Sequence, residues 1–155
     1  MSKILTYLTR GKTIESLHES KCIIKDIKYN TFFSTHHDKD LTYPRSAIKI
    51  FQAIPFVKSN SQKKYQLTQK QIAISCSSHC GEPEHIKVLE SWIKKIRVNV
   101  NALKCGIHNP LNLKSSNKLL LNGIMPNQLH NNCAGKHLAM ISGCKSKNLD
   151  FKNYI

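Results

Sequence analysis

The sequence contains no apolar run that approaches the ~20 residues needed by a transmembrane helix, so we expect no membrane partner. Its start also lacks the layout of a secretory signal peptide, because Lys3 is followed by a short stretch that polar residues interrupt. Both absences predict a cytoplasmic protein. With 155 residues and 40% hydrophobic content, the chain has the size and composition of one folded domain.

Acidic residues are scarce as well. The chain has 9 of them against 24 lysines and arginines, which gives a net charge of +15 at pH 7. Such a charge is typical of proteins that bind nucleic acids or anionic surfaces. Only three of the basic residues are arginines, however, and no aromatic platform is interleaved with them, as single-strand binders tend to have. Nucleic acid is therefore not the partner we expect.

The six cysteines lack the secretory context in which disulfide frameworks form. We therefore expect reduced thiols or metal ligands. The positions concerned are Cys22, Cys76, Cys80, Cys105, Cys133 and Cys144.

Hydrophobic periodicity predicts a mixed α and β fold, with antiparallel strands followed by helices. The predicted strands are Lys3–Leu8, Thr13–His18, Cys22–Ile27 and Thr31–Ser34, the last pairing back in a meander. Helical spacing begins after Pro44, and Pro55 is expected to kink or end the first helix. Further helices are predicted from Thr68, Pro83 and Cys133, whereas residues 99–129 are predicted to be mostly loop.

Ser46 and Lys49 stand three positions apart at the predicted start of a helix, so their side chains share one face. A serine hydroxyl is a weak nucleophile, and a lysine amine can activate it as a general base. The same Ser-x-x-Lys spacing occurs in penicillin-binding proteins and serine β-lactamases. Arg45 is a candidate for the cation that tunes the lysine or grips a substrate carboxylate. The alternative is a capping serine and a solvated lysine.

The turn that contains Ser78, His79, Cys80, Gly81 and Glu82 brings a hydroxyl, an imidazole, a thiol and a carboxylate together. Glycine-containing turns expose backbone N–H groups that can form an oxyanion hole. An ordinary loop with capping side chains explains the same residues.

Cys105 and His108 have a spacing at which a thiolate and an imidazole can hold one metal ion, with Cys133 as a third ligand. Buried free cysteines are the alternative. Around Cys133, the segment Asn131–His137 is too polar for simple packing, and its amides, including Asn132, suit an amino-acid-like ligand.

Taken in order, these motifs resemble the rhizobial-type L-asparaginases, the asparaginase II family. The blocks that carry the resemblance are Thr9–Gly11, Glu15–His18, Arg45–Lys49, Phe51–Pro55, Ser78–His85, Cys105–Pro110 and His130–His137.

The resemblance implies a fold related to serine β-lactamases and glutaminases, and hydrolysis of L-asparagine to aspartate and ammonia. It implies catalytic roles for Ser46, Lys49 and Ser78, with Ser46 favoured as the nucleophile. Substrate or oxyanion contacts are implied for Arg45, His79, Gly81, Glu82 and Asn132. A zinc site is implied at Cys105, Cys133 and His108, where His108 replaces a lysine of the family, and the zinc would help to position substrate.

The resemblance covers about the N-terminal half of the family, so we expect a chain truncated at its C-terminus. The family's second lysine has no counterpart here, and Lys136 is a possible stand-in. Three alternatives therefore accompany an active asparaginase. They are an inactive fragment, one half of a split or homodimeric enzyme, and a small basic zinc-binding module for nucleic acid.

Overall fold

The computed structural model describes residues 3–37 and 39–155. The chain divides into two compact units, of which the first ends at Tyr43 and the second is Pro44–Ile155. Strands lie in the first unit and α-helices in the second, so the predicted α+β class is confirmed.

Two antiparallel hairpins make up the first unit. Strand β1 (Ile4–Arg10) pairs with β2 (Thr13–Ser20), and β3 (Ile23–Lys25) pairs with β4 (Thr31–Ser34). The four predicted strands are confirmed, but they form two separate sheets and not one continuous meander.

Strand β3 ends earlier than the sequence predicts because a turn starts at Asp26. The Asp26 carboxylate accepts hydrogen bonds from the backbone N–H groups of Lys28 (2.8 Å) and Asn30 (2.9 Å). An aspartate that binds the backbone two residues ahead offers those groups an alternative to strand pairing. The residues after Lys25 therefore belong to the turn.

The second unit is helical. Its helices are α1 (Lys49–Gln52), α2 (Ile54–Lys58), α3 (Ser61–Lys64), α4 (Gln69–Ser75), α5 (Pro83–Ile96), α6 (Leu113–Leu121) and α7 (Ala134–Ser146). In the part of the chain that the structure describes, none of the helices has the length and apolarity to cross a membrane.

Helix α7 is the centre of the second unit and packs against α2, α4 and α5. The core includes Phe56 of α2, Trp92 of α5 and Ile141 of α7, all at most 2% exposed. The indole N–H of Trp92 donates to Ser142 Oγ at 3.0 Å, which satisfies a polar group that burial would otherwise leave without a partner. The core therefore contains paired polar groups as well as apolar contacts.

Most of the predicted helices are confirmed, and local chemistry explains their starts. Thr68 caps α4 through a capping box with Gln71, and Pro83 occupies the first turn of α5, where its missing N–H does no harm. The first predicted helix is interrupted beside Pro55, since α1 ends at Gln52 and α2 starts at Ile54.

The prediction of loop for residues 99–129 is wrong over α6. The Asn112 side chain accepts a hydrogen bond from Ser115 N–H at 2.9 Å and so caps this helix. Two of its leucines lie at the surface, with Leu120 78% and Leu121 86% exposed. The polar composition of residues 99–129 therefore indicated a loop where the structure has a surface helix.

Helices α4 and α7 approach each other closely at Gly135. A Cβ atom built on Gly135 would lie 2.1 Å from the backbone carbonyl oxygen of Ile74. No side chain fits at this position without separating the two helices.

We predict that Gly135→Ala lowers the free energy of unfolding by at least about 2 kcal/mol, because the helices must move apart. Gly143→Ala is the matched control on the same helix, since its Cβ would have no neighbour nearer than 3.8 Å. The control should raise stability by about 0.5–1 kcal/mol, because alanine is the better helix former. Urea denaturation measures both changes, and equal effects would contradict the close approach.

The end of the chain is tied to α7 through His137. The Tyr154 hydroxyl accepts a hydrogen bond from Lys104 N–H at 2.6 Å and donates to His137 Nδ1 at 2.7 Å. Burial, reinforced by the positive charges of Lys136 and Lys49, lowers the pKa of His137 from 6.5 to about 4. The imidazole is therefore neutral in the folded protein near pH 7.

We predict that the His137 contribution to stability is fully present above pH 6.5 and is lost as pH falls toward 4. In that window the unfolded chain binds a proton that the folded chain does not, so unfolding becomes easier by up to about 1.4 kcal/mol per pH unit. His137→Asn keeps an acceptor for Tyr154 but cannot titrate. Urea denaturation at pH 7 and pH 5 should show a smaller pH effect in the variant, and an unchanged effect would refute this origin.

Candidate active site

Ser46, Lys49 and Ser78 form one hydrogen-bonded cluster. Ser46 Oγ lies 2.9 Å from Ser78 Oγ, and Lys49 Nζ donates to Ser78 Oγ at 2.6 Å. Lys49 Nζ also donates to the Ser77 carbonyl oxygen at 3.0 Å. Two segments far apart in sequence, the start of α1 and the residues that follow α4, are thereby joined at their polar side chains.

Lys49 is only 3% exposed, so its amine has protein partners in place of water. A buried amine is tolerated only when such partners satisfy it, and here a hydroxyl and a carbonyl do so. The hydroxyl that contacts Lys49 is that of Ser78. Ser46 contacts Ser78, so the three side chains form a row of hydrogen bonds in the order Ser46, Ser78, Lys49. The sequence predicts Lys49 beside Ser46 but does not predict that Ser78 lies between them.

Arg45 has a backbone φ of 51°, in the left-handed region that a residue with a side chain seldom adopts. It directly precedes Ser46 at the start of a 3-10 turn, Arg45–Ile48. Strain of this kind costs of order 1 kcal/mol, and it clusters at sites where the position of a side chain matters.

The turn after Ser78 is held by one hydrogen bond to Asn132 and one within the turn. His79 N–H donates to the Asn132 carbonyl oxygen at 3.3 Å, and Gly81 N–H donates to His79 Nδ1 at 3.1 Å. Both N–H groups are therefore engaged, and an oxyanion role for this turn stays a prediction. Gly81 has a φ of +73°, and a Cβ there would lie 2.9 Å from Pro110 Cβ, so glycine is required.

Burial is the main reason why the pKa of His79 is lowered from 6.5 to about 4. The charges of His85, Lys49 and His108 lower this pKa further, and the backbone carbonyl of Asn131 opposes them. At neutral pH His79 is therefore uncharged, and its Nδ1 accepts a hydrogen bond from Gly81 N–H.

Glu82 has a structural position in this arrangement. Its carboxylate accepts a hydrogen bond from Asn112 Nδ2 at 2.9 Å, and its backbone N–H donates to His85 Nδ1 at 3.3 Å. The side chain thereby links the start of α5 to the start of α6. Its predicted contact with a substrate remains a prediction.

A cavity of about 380 Å³ opens beside the serine cluster. It is lined by Arg45, Ser46, Ile48, Lys49, Gln52, Asn132, Cys133 and Lys136. Among these residues the charged side chains are all cationic. Sequence reasoning proposed no role for Gln52, although it lies within one of the blocks that carry the family resemblance.

The predicted zinc ligands Cys105, His108 and Cys133 are not arranged around one metal position in the described residues. His108 Nδ1 donates to the Asn109 carbonyl oxygen at 2.6 Å, and His108 Nε2 accepts from Asn132 N–H at 3.1 Å, so both ring nitrogens are engaged. The Cys105 thiol donates to the Gln128 carbonyl oxygen at 3.5 Å, and burial raises its pKa to about 11, which opposes the thiolate form that metals bind.

Within residues 3–37 and 39–155, no group of three or more histidine, cysteine or acidic side chains is arranged to hold a metal ion. The present arrangement therefore does not fit a three-ligand zinc site, and Cys105, His108 and Cys133 remain predicted ligands. A zinc titration of the purified chain would test them.

A sequence profile of the L-asparaginase II family matches residues 6–155, which spans both compact units. The chain therefore belongs to the asparaginase II family. A search among curated proteins finds no match. Family membership confirms the resemblance seen in the motifs and supports an asparaginase-type amidohydrolase.

We predict that Gly81→Ala destabilises the protein more than Gly106→Ala, by at least about 1 kcal/mol. The two glycines have nearly equal φ values, +73° and +74°, so backbone strain is matched. Only Gly81 meets a neighbour, since a Cβ on Gly106 would have nothing within 4 Å. Urea denaturation of both variants measures the difference, and equal losses would show that Pro110 does not confine the turn.

Proposed function

We propose that this protein hydrolyses the side-chain amide of L-asparagine, with Ser46 as nucleophile and Lys49 as base acting through Ser78. The observation that carries the proposal is the hydrogen-bonded chain Ser46–Ser78–Lys49, with Ser46 at the wall of the cavity. Family membership supports the reaction class. A cytoplasmic location, a zinc ion and association with a second chain remain predictions.

In the first step Ser46 Oγ attacks the amide carbonyl carbon. Its proton moves to Ser78 Oγ while the Ser78 proton moves to Lys49 Nζ, so both hydroxyl groups keep their valence. The tetrahedral intermediate collapses when the C–N bond breaks and the proton held by Lys49 passes to the departing nitrogen, which leaves as ammonia. An ester between Ser46 and the aspartyl group remains.

In the second step water attacks the ester carbonyl. The water proton passes to Lys49, and the Ser46 alkoxide takes it back as the ester bond breaks. Aspartate leaves and the original protonation states return. Lys49 suits both steps because it is held in place by Ser77 and Ser78 and shielded from bulk water.

Two hydroxyl groups lie within reach of one another, and exposure to the cavity distinguishes them. Ser46 lines the cavity, whereas Ser78 has the direct contact with the amine. A substrate in the cavity therefore meets Ser46 first, and Ser78 is suited to pass the proton. This geometry supports Ser46 as the nucleophile.

We predict that Ser46→Ala lowers ammonia release from L-asparagine by roughly 10³-fold or more, because no nucleophile replaces the serine. Ser78→Ala should lower it by roughly 10²- to 10⁴-fold, the range for loss of a proton-transfer group. Ser116→Ala on α6 serves as the control and should leave turnover unchanged. Intact mass spectrometry after rapid acid quench should show an aspartyl adduct in the parent chain and none in Ser46→Ala.

An adduct that persists in Ser46→Ala but vanishes in Ser78→Ala would reverse the two roles. No ammonia release from a folded, monodisperse chain would overturn the proposal for this chain acting alone.

A further inference from the structure

A cavity of about 550 Å³ lies in the helical unit between α2 and α7, and we call it the α2–α7 cavity. Leu149 and Tyr154, which follow α7 in the chain, also contribute to its wall. Of the residues that line it, only Gln52 also lines the cavity that contains Ser46. A ligand in the α2–α7 cavity would therefore lie outside the proposed reaction site.

The wall of the α2–α7 cavity is mainly apolar. Pro55 and Phe56 of α2, Met140 of α7 and Leu149 all line it. Cavities of this size, with apolar walls and a small number of polar groups, are typical of small-molecule sites. An aliphatic chain that replaces water at such a wall gains free energy from burial, and a methionine adapts its shape to the chain.

The charged residues of the α2–α7 cavity are two lysines. Lys58 is the last residue of α2, and Lys147 directly follows α7. In the part of the chain that the structure describes, neither ammonium group has a hydrogen bond or an ion pair. None of the lining residues is acidic. The C-terminal end of a helix carries roughly half a negative charge, so the two full positive charges outweigh it and favour an anion.

A second copy of this chain is not suited to the α2–α7 cavity. A symmetric contact would set Lys58 and Lys147 of one copy against the same lysines of the other. The net charge of +15 adds to that repulsion. The two lysines instead match a carboxylate, to which an ammonium group donates charge-assisted hydrogen bonds.

We propose that the α2–α7 cavity binds an unbranched medium-chain carboxylate such as octanoate or decanoate. The aliphatic chain lies between α2 and α7 against Phe56 and Met140, and the carboxylate accepts hydrogen bonds from Lys58 and Lys147. Apolar wall and paired cations together distinguish this ligand from a neutral hydrocarbon and from a small hydrophilic anion.

The first test is a calorimetric titration with hexanoate, octanoate and decanoate below the concentrations at which they form micelles. Each CH₂ group that leaves water strengthens binding roughly fourfold, so Kd should fall roughly 15-fold from hexanoate to octanoate and further for decanoate. Decanol has the same chain with a neutral head and should bind roughly tenfold more weakly than decanoate. Equal affinity for the three acids, or for decanoate and decanol, would overturn the proposal.

The second test removes the charges with the double variant Lys58→Met/Lys147→Met. Its Kd for decanoate should rise roughly tenfold or more, because both charge-assisted contacts are lost, whereas its Kd for decanol should not change. Lys114→Met/Lys118→Met on α6 lowers the net charge by the same amount outside the cavity and is the matched control. An equal loss of decanoate affinity in the control would overturn the assigned carboxylate contact.

The third test fills the α2–α7 cavity from Gly143. A Cβ atom on Gly143 would lie 3.8 Å from both Phe56 Cα and Ser59 Oγ, which line the cavity, so a larger side chain enters it. Gly143→Leu should abolish measurable decanoate binding, and Gly143→Ala should retain most of it. Circular dichroism checks that both variants fold. Unchanged binding in folded Gly143→Leu would place the ligand elsewhere and overturn the proposal.

A further readout needs no variant in the cavity. Trp92 is the only tryptophan, and its ring centre lies 5.5 Å from that of Phe56. Decanoate should therefore change the fluorescence of Trp92 over the same concentrations at which calorimetry shows binding. Binding by calorimetry without any change in this fluorescence would argue against the α2–α7 cavity and overturn the assignment.

The last measurements separate this inference from the proposed hydrolysis and from self-association. Ser46→Ala should bind decanoate as tightly as the parent chain, since the α2–α7 cavity does not contain Ser46. Decanoate binding by a chain that releases no ammonia would support this site alone, and ammonia release without decanoate binding would overturn this site alone. In sedimentation velocity, a dimer that decanoate dissociates and Gly143→Leu prevents would assign the cavity to a second copy and overturn the proposal.

Discussion

The close approach of α4 and α7 at Gly135 is the constraint on which the site depends. The absence of a side chain there lets α7 lie against the carbonyl of Ile74 near the end of α4. The residues that follow α4, including Ser78, therefore lie beside the residues that begin α7, including Lys136. This contact between two helices therefore brings the two edges of the cavity together.

The interior of the second unit combines apolar packing with a few buried polar groups. Trp92 and Ser142 form a hydrogen bond within the core, and the buried Lys49 forms one with Ser78. Burial of a polar amine opposes folding, and two hydrogen bonds from Lys49 Nζ counteract that effect. The left-handed backbone at Arg45 adds a further unfavourable contribution at the same place. The left-handed backbone of Arg45 and the buried amine of Lys49 both lie close to Ser46, and such features are found at functional sites.

Much of the fold could be predicted because local chemistry acts at short range. The capping box at Thr68 and the proline at the start of α5 mark helix starts that the structure confirms. Helix α6 was missed because residues 99–129 are rich in polar residues, proline and lysine, and in the folded chain its Leu120 and Leu121 remain exposed. The extent of β3 was overestimated because the hydrogen bonds of Asp26 compete with strand pairing. The errors in the predicted secondary structure therefore occur where side-chain hydrogen bonds or exposed residues determine the local structure.

The sequence by itself determined the family and the chemical inventory of the site, because residue types and their local spacing carry that information. Ser46, Lys49 and Ser78 could all be named from it. Only the tertiary structure decided that Lys49 contacts Ser78 and that His108 accepts a hydrogen bond from Asn132. It also decided that Lys136 and Ser46 line the same cavity. The physical reason is that hydrogen-bond partners are chosen at distances near 3 Å between segments remote in sequence. Packing of α4 against α7 fixes those distances, and no local pattern records them.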